Sequence, residues 1–210
     1  MTLTPPIAPH RRRLLTGAAA LIASPLFIRN ALAQESRRLT PSQTEGPFYP
    51  VQLPADSDFD LLTQGSTRYT KGQGSWLEGT VTDRAGRPVQ GALVEIWQCD
   101  QQGHYHHPGD RGADPAFQGF GRASVGSAGE YRFRTIRPAV YSGRTPHIHV
   151  KVKLGQRELL TTQMYVAGDP NNERDFLWRR MNAADRDAIT VAFAPDADGL
   201  RARFPIVVAA

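Results

Sequence analysis

The chain has 210 residues, a formal net charge of +5 and one cysteine, Cys99. The basic balance is no argument for nucleic-acid binding: four arginines (11, 12, 13 and 29) fall in the first 33 residues, which hold no acid. The other 177 residues therefore carry only +1, with no basic stripe interleaved with aromatics. A lone cysteine excludes an intramolecular disulfide, and 177 residues are enough for one well-filled core.

Residues 1–33 read as a targeting segment. Arg11-Arg12-Arg13 opens an apolar run over residues 14–28, and Ala31-Leu32-Ala33 follows as a small-x-small cleavage site. Paired arginines directly before Leu14-Leu15 match the twin-arginine type of signal. The run is interrupted by Pro25 and falls short of the ~20 apolar residues that span a bilayer. The expectation is an exported protein, periplasmic or secreted, free of the membrane once the signal is removed. Without a disulfide, such a protein gains stability from a bound metal.

Residues 34–73 predict an extended arm. Its Thr40-Pro41-Ser42-Gln43-Thr44-Glu45-Gly46-Pro47-Phe48-Tyr49-Pro50 stretch holds three prolines that forbid an ordinary helix, and Phe48 and Tyr49 are its natural anchors. Residues 74–210 predict one domain. Strand patterns fall at 77–82, 92–98, 121–125, 131–136, 148–154, 159–166 and 204–208, separated by Gly/Pro/Asp turns. Short helical turns are expected only at 172–181 and 183–189. The pattern is all-β: an antiparallel β-sandwich core with an extended N-terminal arm, long loops and little helix. Trp76 and Trp97 are expected in the core, and Cys99 as a small buried residue at a strand end. Asp110, Asp114 and Asp169 read as turn residues.

The chemistry concentrates in Pro146-His147-Ile148-His149-Val150. Residues two apart on a strand leave on the same face, so both imidazoles aim at one point, half of a metal site. No thiolate partner exists beyond Cys99, and the first acid after the pair is Glu158. Tyrosines lie close instead: Tyr141, six residues before His147, and Tyr105, in the loop Gly103-His104-Tyr105-His106-His107-Pro108. A phenolate is a hard anionic donor whose pKa, near ~10 when free, demands a strongly Lewis-acidic metal such as Fe(III). His104, His106 and His107 read as solvated loop residues, with His106 or His107 a candidate for a substrate entrance.

Gly103-His104-Tyr105 after the Val94-Glu95-Ile96-Trp97-Gln98 strand, then Tyr141, Arg144-Thr145-Pro146-His147-Ile148-His149 and Thr162-Gln163-Met164-Tyr165-Val166-Ala167-Gly168-Asp169-Pro170, resembles the intradiol ring-cleavage dioxygenases. It is nearest in pattern to the protocatechuate 3,4-dioxygenase subunits, and Thr44–Pro50 is similar to that family's arm. The likeness covers about residues 40–170. It implies a β-sandwich and a non-haem Fe(III) held by Tyr105 and His147 as equatorial ligands and Tyr141 and His149 as axial ones. It implies that Tyr141 is displaced when a catechol chelates the metal, that Arg144 stabilises charge on the substrate ring, and that Gln163 positions Arg144 and the substrate. The implied reaction inserts both atoms of O2 into a small aromatic diol to give a cis,cis-muconate-type diacid.

Two features depart from the family pattern. Only five residues separate Tyr141 from His147, where better-known members carry a longer insertion that walls the pocket, and the signal segment is unusual. The chain is also too short for the family's helical dimerisation domain, so a homo-oligomer would assemble through sandwich and arm. Two alternatives remain at this level. One is an exported β-sandwich module that binds catechols or phenolates without turnover. The other is a zinc or copper enzyme built on the H-x-H pair alone.

Overall fold

The computed structural model describes residues 1–2 and 37–210; the expected signal over residues 1–33 lies outside the described residues apart from Met1 and Thr2. In chain order the elements are β1 (Thr63–Gln64), β2 (Thr67–Arg68), β3 (Gly74–Asp83), β4 (Leu93–Trp97), β5 (Phe120–Ser124), β6 (Glu130–Ile136), β7 (His147–Leu154) and β8 (Arg157–Val166). A 3-10 turn (Asn172–Arg174), α1 (Phe176–Arg180) and α2 (Ala183–Ile189) follow, then β9 (Thr190–Val191), β10 (Phe193–Asp196), β11 (Gly199–Arg203) and β12 (Ile206–Val208).

The strands form two five-stranded sheets. One joins β10, β11, β3 and β12, with β6 on the other edge of β3; the second runs β5-β4-β7-β8-β9. The second is antiparallel except at β9, as the strand and turn pattern implies, whereas the first mixes two antiparallel pairings with two parallel ones. Three pairings are parallel: β11 and β12 with β3, and β9 with β8. The sheets bury a common apolar cluster that includes Leu77, Val81 and Phe133 from one and Val94, Ile148, Val150, Val152 and Met164 from the other. These residues alternate along their strands with side chains on the opposite face, the period-two pattern of a sandwich layer.

The sequence reading of residues 204–208 as one strand needs correction. Phe204 and Pro205 interrupt the ladder, and the strand proper is β12, preceded by an unanticipated β11. Pro205 has no N–H to give, so the chain leaves β3 and rejoins it one step on. The Phe204 N–H still donates to Glu78 O at 2.8 Å, and the Tyr131 hydroxyl donates to Phe204 O at 2.6 Å. Gly79 makes this crossing possible, because a Cβ there would lie 2.1 Å from Phe204 O.

Residues 37–40 run beside β12 of the first sheet, and residues 41–50 cross the outer face of the second, extended to Gly46 and then turning at 47–49. Thr40 exchanges hydrogen bonds with Val207, N–H to carbonyl at 3.0 Å and hydroxyl from Val207 N–H at 2.9 Å. The Gln43 N–H donates to Thr161 O at 2.9 Å, and the Thr162 hydroxyl donates to Pro41 O at 2.7 Å. Further on, the chain enters the core itself: Leu61, Leu62 and Tyr69 are buried in the main apolar cluster around the β1–β2 ribbon. Among the described residues no helix is long and apolar enough to cross a membrane.

The close approach at Gly79 gives a direct test. Gly79→Ala forces backbone against backbone and should cost about 1–3 kcal/mol, the usual range for overpacking. In a chain of this size that lowers the thermal midpoint by roughly 2–4 °C per kcal/mol. An unchanged midpoint would mean that the β3–β12 crossing is not tightly packed.

Candidate metal centre

On β7, Ile148, Val150 and Val152 enter the sandwich, so His147, His149, Lys151 and Lys153 must leave on the other face. An alternating strand with two lysines reads as half-exposed. Instead both histidines and Lys151 are buried, because the arm covers this face. Lys151 pairs with Glu45 and reaches Glu158 at 3.4 Å. Lys153 pairs with buried Glu95 at 2.9 Å, and the Tyr49 hydroxyl donates to Glu95 at 2.9 Å.

Strand register sets the neighbours of the histidines. His149 lies opposite Trp97 on β4 and Gln163 on β8, and His147 lies opposite Tyr165. The His149 ring stacks on Trp97, centroids 4.8 Å apart and nearly parallel. Trp97 is thus buried as expected but is also a wall of the site. From above, Gly46 presses on His149: a Cβ there would meet His149 Cε1 at 3.2 Å, and its φ of +74° favours glycine independently.

The histidine nitrogens converge. His147 Nε2 is 3.2 Å from His149 Nε2 and 3.5 Å from the Tyr105 hydroxyl. Donors bound to a metal at about 2.0–2.2 Å lie roughly 3 Å from one another, so this spacing suits a shared ion. Burial, with Arg144 nearby, pulls the His147 pKa from 6.5 to about 4. Burial, with His147 and Arg144 nearby, holds His149 well below its ordinary value. Neutral His147 donates from Nδ1 to Thr145 O at 2.7 Å, which leaves the Nε2 lone pair facing the cluster. His149 Nδ1 is buried without a hydrogen-bond partner.

Tyr105 comes from the loop after β4, which carboxylates shape. Asp110 accepts from the Tyr105 N–H at 2.9 Å and contacts His104 Nδ1 at 2.9 Å. Asp100 accepts from the N–H groups of Gln102, His104 and Asp114. The Tyr105 ring is buried, stacked at 4.6 Å on Phe48 of the arm, and Tyr141 stands edge-on to it at 5.1 Å. Burial raises both phenol pKa values, so ionisation of either needs a cation beside it. Among the described residues no three His, Cys, Asp or Glu side chains are grouped to hold a metal. The oxygen donor set beside the two histidines is the Tyr105 hydroxyl, with the Tyr141 ring edge-on to it. Two imidazoles with two phenolates and no thiolate suit ferric iron better than zinc or copper(I).

Arg144 follows the tight turn Tyr141–Arg144, in which Ser142 has a φ of 38°. Its Nη2 donates to Gln163 Oε1 at 2.8 Å and its Nε to Asp175 Oδ2 at 2.6 Å. Gln163 in turn donates from Nε2 to Thr44 O of the arm at 2.9 Å. The predicted residues Tyr105, Tyr141, Arg144, His147, His149 and Gln163 are therefore brought into one cluster. Asp175 is the residue that sequence reasoning missed. Its cap position before Phe176-Leu177-Trp178 was a visible signal, but its partner lies 31 residues away.

Other expectations resolve differently. Trp76 is not core: it lies half-exposed on the far sheet, with Arg132 3.7 Å above its ring centroid. A groove of about 970 Å³ there, lined by Phe59, Trp76, Tyr131, Arg132 and Arg203 among others, shares no residue with the histidine cluster. His104, His106 and His107 stay outside the cluster; His107 rests edge-on against Phe48 at 5.5 Å, beside the stacked tyrosine.

The two depressed histidines make metal-free stability pH-dependent. The fold favours their neutral forms, so their contribution is complete above about pH 6.5 and is lost as pH falls towards 4. For His147 alone the loss by pH 5 is about 2 kcal/mol, at 1.36 kcal/mol per unit. Denaturant titrations of metal-free protein from pH 7 to 5 should show this loss, and the His147→Asn, His149→Asn double variant should flatten it. Equal slopes would assign the pH dependence to other groups.

Known proteins resemble the chain over most of the described residues. Residues 44–208 match the family model described as Dioxygenase. A catechol 1,2-dioxygenase from Acinetobacter baylyi is 32% identical over 168 residues, 71% of this chain and 53% of the relative. The protocatechuate 3,4-dioxygenase beta chain of Burkholderia cepacia is 37% identical over 133 residues, 57% of this chain and 56% of the relative. The chain thus spans about half the length of these curated relatives. Among solved structures, the dioxygenase domain of a dioxygenase carbohydrate-binding protein fusion from Streptomyces sp. SirexAA-E is 33% identical. It aligns with a TM-score of 0.63 over 81% of this chain and 97% of that one. Catechol 1,2-dioxygenase from Acinetobacter sp. ADP1 is 28% identical, with a TM-score of 0.63 over 85% of this chain and 64% of that one. With its two sheets, its clustered histidines and tyrosines and a match over residues 44–208, the chain belongs to the intradiol dioxygenase family.

Proposed function

We propose that the protein is a non-haem, Fe(III)-dependent intradiol dioxygenase that opens a catechol-type ring between its two hydroxyls. One observation carries the reading: the His147 and His149 Nε2 atoms meet the Tyr105 hydroxyl in a buried cluster, with Tyr141 edge-on to Tyr105 and the Arg144 guanidinium anchored close by. Tyr105, Tyr141, His147 and His149 would hold the iron. Bound there, ferric iron supplies the Lewis acidity that chelates both oxygens of a catechol and makes its ring reactive towards O2.

The protein's own groups do the rest. Hydrogen-bonded to Thr145 O, His147 keeps the tautomer that directs Nε2 at the cluster. Tyr141, the less buried of the two and ionised only beside the bound cation, would as tyrosinate take a proton from the incoming diol at its phenolate oxygen. Arg144 supplies fixed positive charge where negative charge builds on the ring, and Gln163 holds Nη2 in that direction. Phe48, Trp97 and Gly46 wall the site, keeping water from the ligands. The short connection from Tyr141 to His147 leaves Ser142 and Gly143 exposed, which favours an open site.

Iron-loaded protein should be coloured by phenolate-to-iron charge transfer, and Tyr105→Phe should lose or shift that band and retain less iron. Anaerobic titration with a panel of catechols, followed by O2 and product analysis, should yield cis,cis-muconate-type diacids. Arg144→Gln should slow ring opening by about 10²-fold or more while catechol still shifts the spectrum. Colourless iron-replete protein would sink the tyrosine ligation. Chelation without ring opening would favour a catechol-binding module instead.

We propose also that residues 1–33 direct export by the twin-arginine route, on the Arg11-Arg12 pair and the Ala31-Leu32-Ala33 site. Arg11→Lys with Arg12→Lys should leave uncleaved precursor in the cytoplasm; unchanged export of that variant would point to another route.

A further inference from the structure

Arg144 sits at the end of an exposed turn. Ser142 and Gly143 are exposed, and nothing lies within 4 Å of where a Gly143 Cβ would stand. A guanidinium on such a turn has several free rotors, and its own backbone does not aim it. Three groups hold it from outside, one of them the Tyr165 hydroxyl, which accepts from Nη2 at 3.3 Å. Gln163 accepts from Nη2 at 2.8 Å, and the Asp175 carboxylate accepts from Nε at 2.6 Å, with Nη2 at 3.5 Å from its second oxygen.

Asp175 is itself immobile. Its side chain is 0% exposed. Oδ1 accepts from the Leu177 and Trp178 N–H groups at 3.0 Å each, capping α1, and Oδ2 also accepts from the Thr145 N–H at 3.2 Å. Burial pushes its pKa up, but the hydrogen bonds from Arg144 and from Trp178 outweigh burial and hold it below the usual range. It is therefore a buried, ionised carboxylate, and among the described residues Arg144 is the one side-chain cation paired with it. A fully buried carboxylate is costly to keep, so its presence needs a reason beyond ending a five-residue helix.

We propose that Asp175 is a positioning residue for ring cleavage: it fixes the Arg144 guanidinium against the pocket and joins the Tyr141–Arg144 turn to the start of α1. This rests on the dioxygenase reading. Asp175 touches neither iron nor substrate; it acts through Arg144 by removing the rotor freedom of a charge that must already be in place when the ring becomes anionic. Charge alone is not enough, because a guanidinium free to swing into solvent is screened there.

The test compares iron-loaded Asp175→Asn, Arg144→Gln and the double variant. Iron content and the charge-transfer band report folding, anaerobic catechol titration reports binding, and single-turnover mixing with O2 reports ring opening. Asp175→Asn should slow ring opening by about 10-fold or more, with colour and catechol affinity within about 2-fold. The double variant should be no slower than Arg144→Gln alone, within about 2-fold, because both substitutions remove one device. Multiplicative losses, or turnover of Asp175→Asn within about 2-fold of wild type, would overturn the proposal.

Asn has one acceptor oxygen where Asp175 serves five N–H groups, so this variant is at risk of misfolding. Asp175→Glu keeps the charge and both acceptors but displaces them; it should stay coloured and lose turnover similarly. Failure of both variants to hold iron would assign Asp175 to structure alone. In wild-type protein loaded with diamagnetic gallium(III), the Arg144 Nε–H resonance should exchange slowly, and Asp175→Asn should abolish that protection. Fast exchange in the wild type overturns the anchoring whatever the activity. If the wild type opens no ring but protection is present, the dioxygenase reading falls and the anchoring stands.

Discussion

β7 is buried on both faces, and the site exists because the two burials are of different kinds. Ile148, Val150 and Val152 enter the apolar layer between the sheets. That burial fixes the register of the strand, since a slip by one residue would turn every histidine inwards and every aliphatic side chain outwards. The opposite face, with its two imidazoles and two ammonium groups, would be ordinary solvent-facing strand if nothing covered it. The arm covers it, and each charge it removes from water receives a partner: Glu45 for Lys151 and Glu95 for Lys153. The imidazoles receive none of this kind. They are neutral and close together, with one ring nitrogen of His149 unpaired.

The two halves of the candidate chemistry stand on supports of different stiffness. His147, His149 and Gln163 stand on central strands of one sheet, where ladder hydrogen bonds and cross-strand stacking on Trp97 fix their directions. Tyr105, Tyr141 and Arg144 come from loops, and each rests on something from another segment, Phe48 for both tyrosines and Asp175 for Arg144. Phe48 stacks on Tyr105, Asp110 takes its N–H, and Asp175 takes the Arg144 guanidinium. Precision on a loop has to be imported, and here it arrives as buried carboxylates and an aromatic plane.

What was legible in the sequence follows the same division. The strands around the site, the same-face H-x-H pair and the short helices were readable because period-two alternation and turn residues are local signals. Both lapses over strands were also local. In β3, Trp76 shares parity with Glu78 and Thr80, so the pattern placed it outward, but its size suggested core. In the tail, Pro205 inside an apolar run marked a break. The rest was not legible for a different reason. That Lys151 is buried, that Thr44 braces Gln163 and that Asp175 holds Arg144 are facts about segments 106, 119 and 31 residues apart. No window of the sequence contains both members of any of these pairs.

The hydrogen bonds between Thr40 and Val207 join positions 167 residues apart. They order events during synthesis. The arm cannot be pinned along this edge until β12 exists, and β12 follows every other strand in the chain. Until then the polar face of β7 stays wet, with Lys151, His149 and His147 hydrated and free to take protons. The dehydrated pair of imidazoles therefore depends on closure of the arm against a strand made after all the others. The long-range closure that makes such topologies slow to fold also delays the covering of this face until β12 is in place.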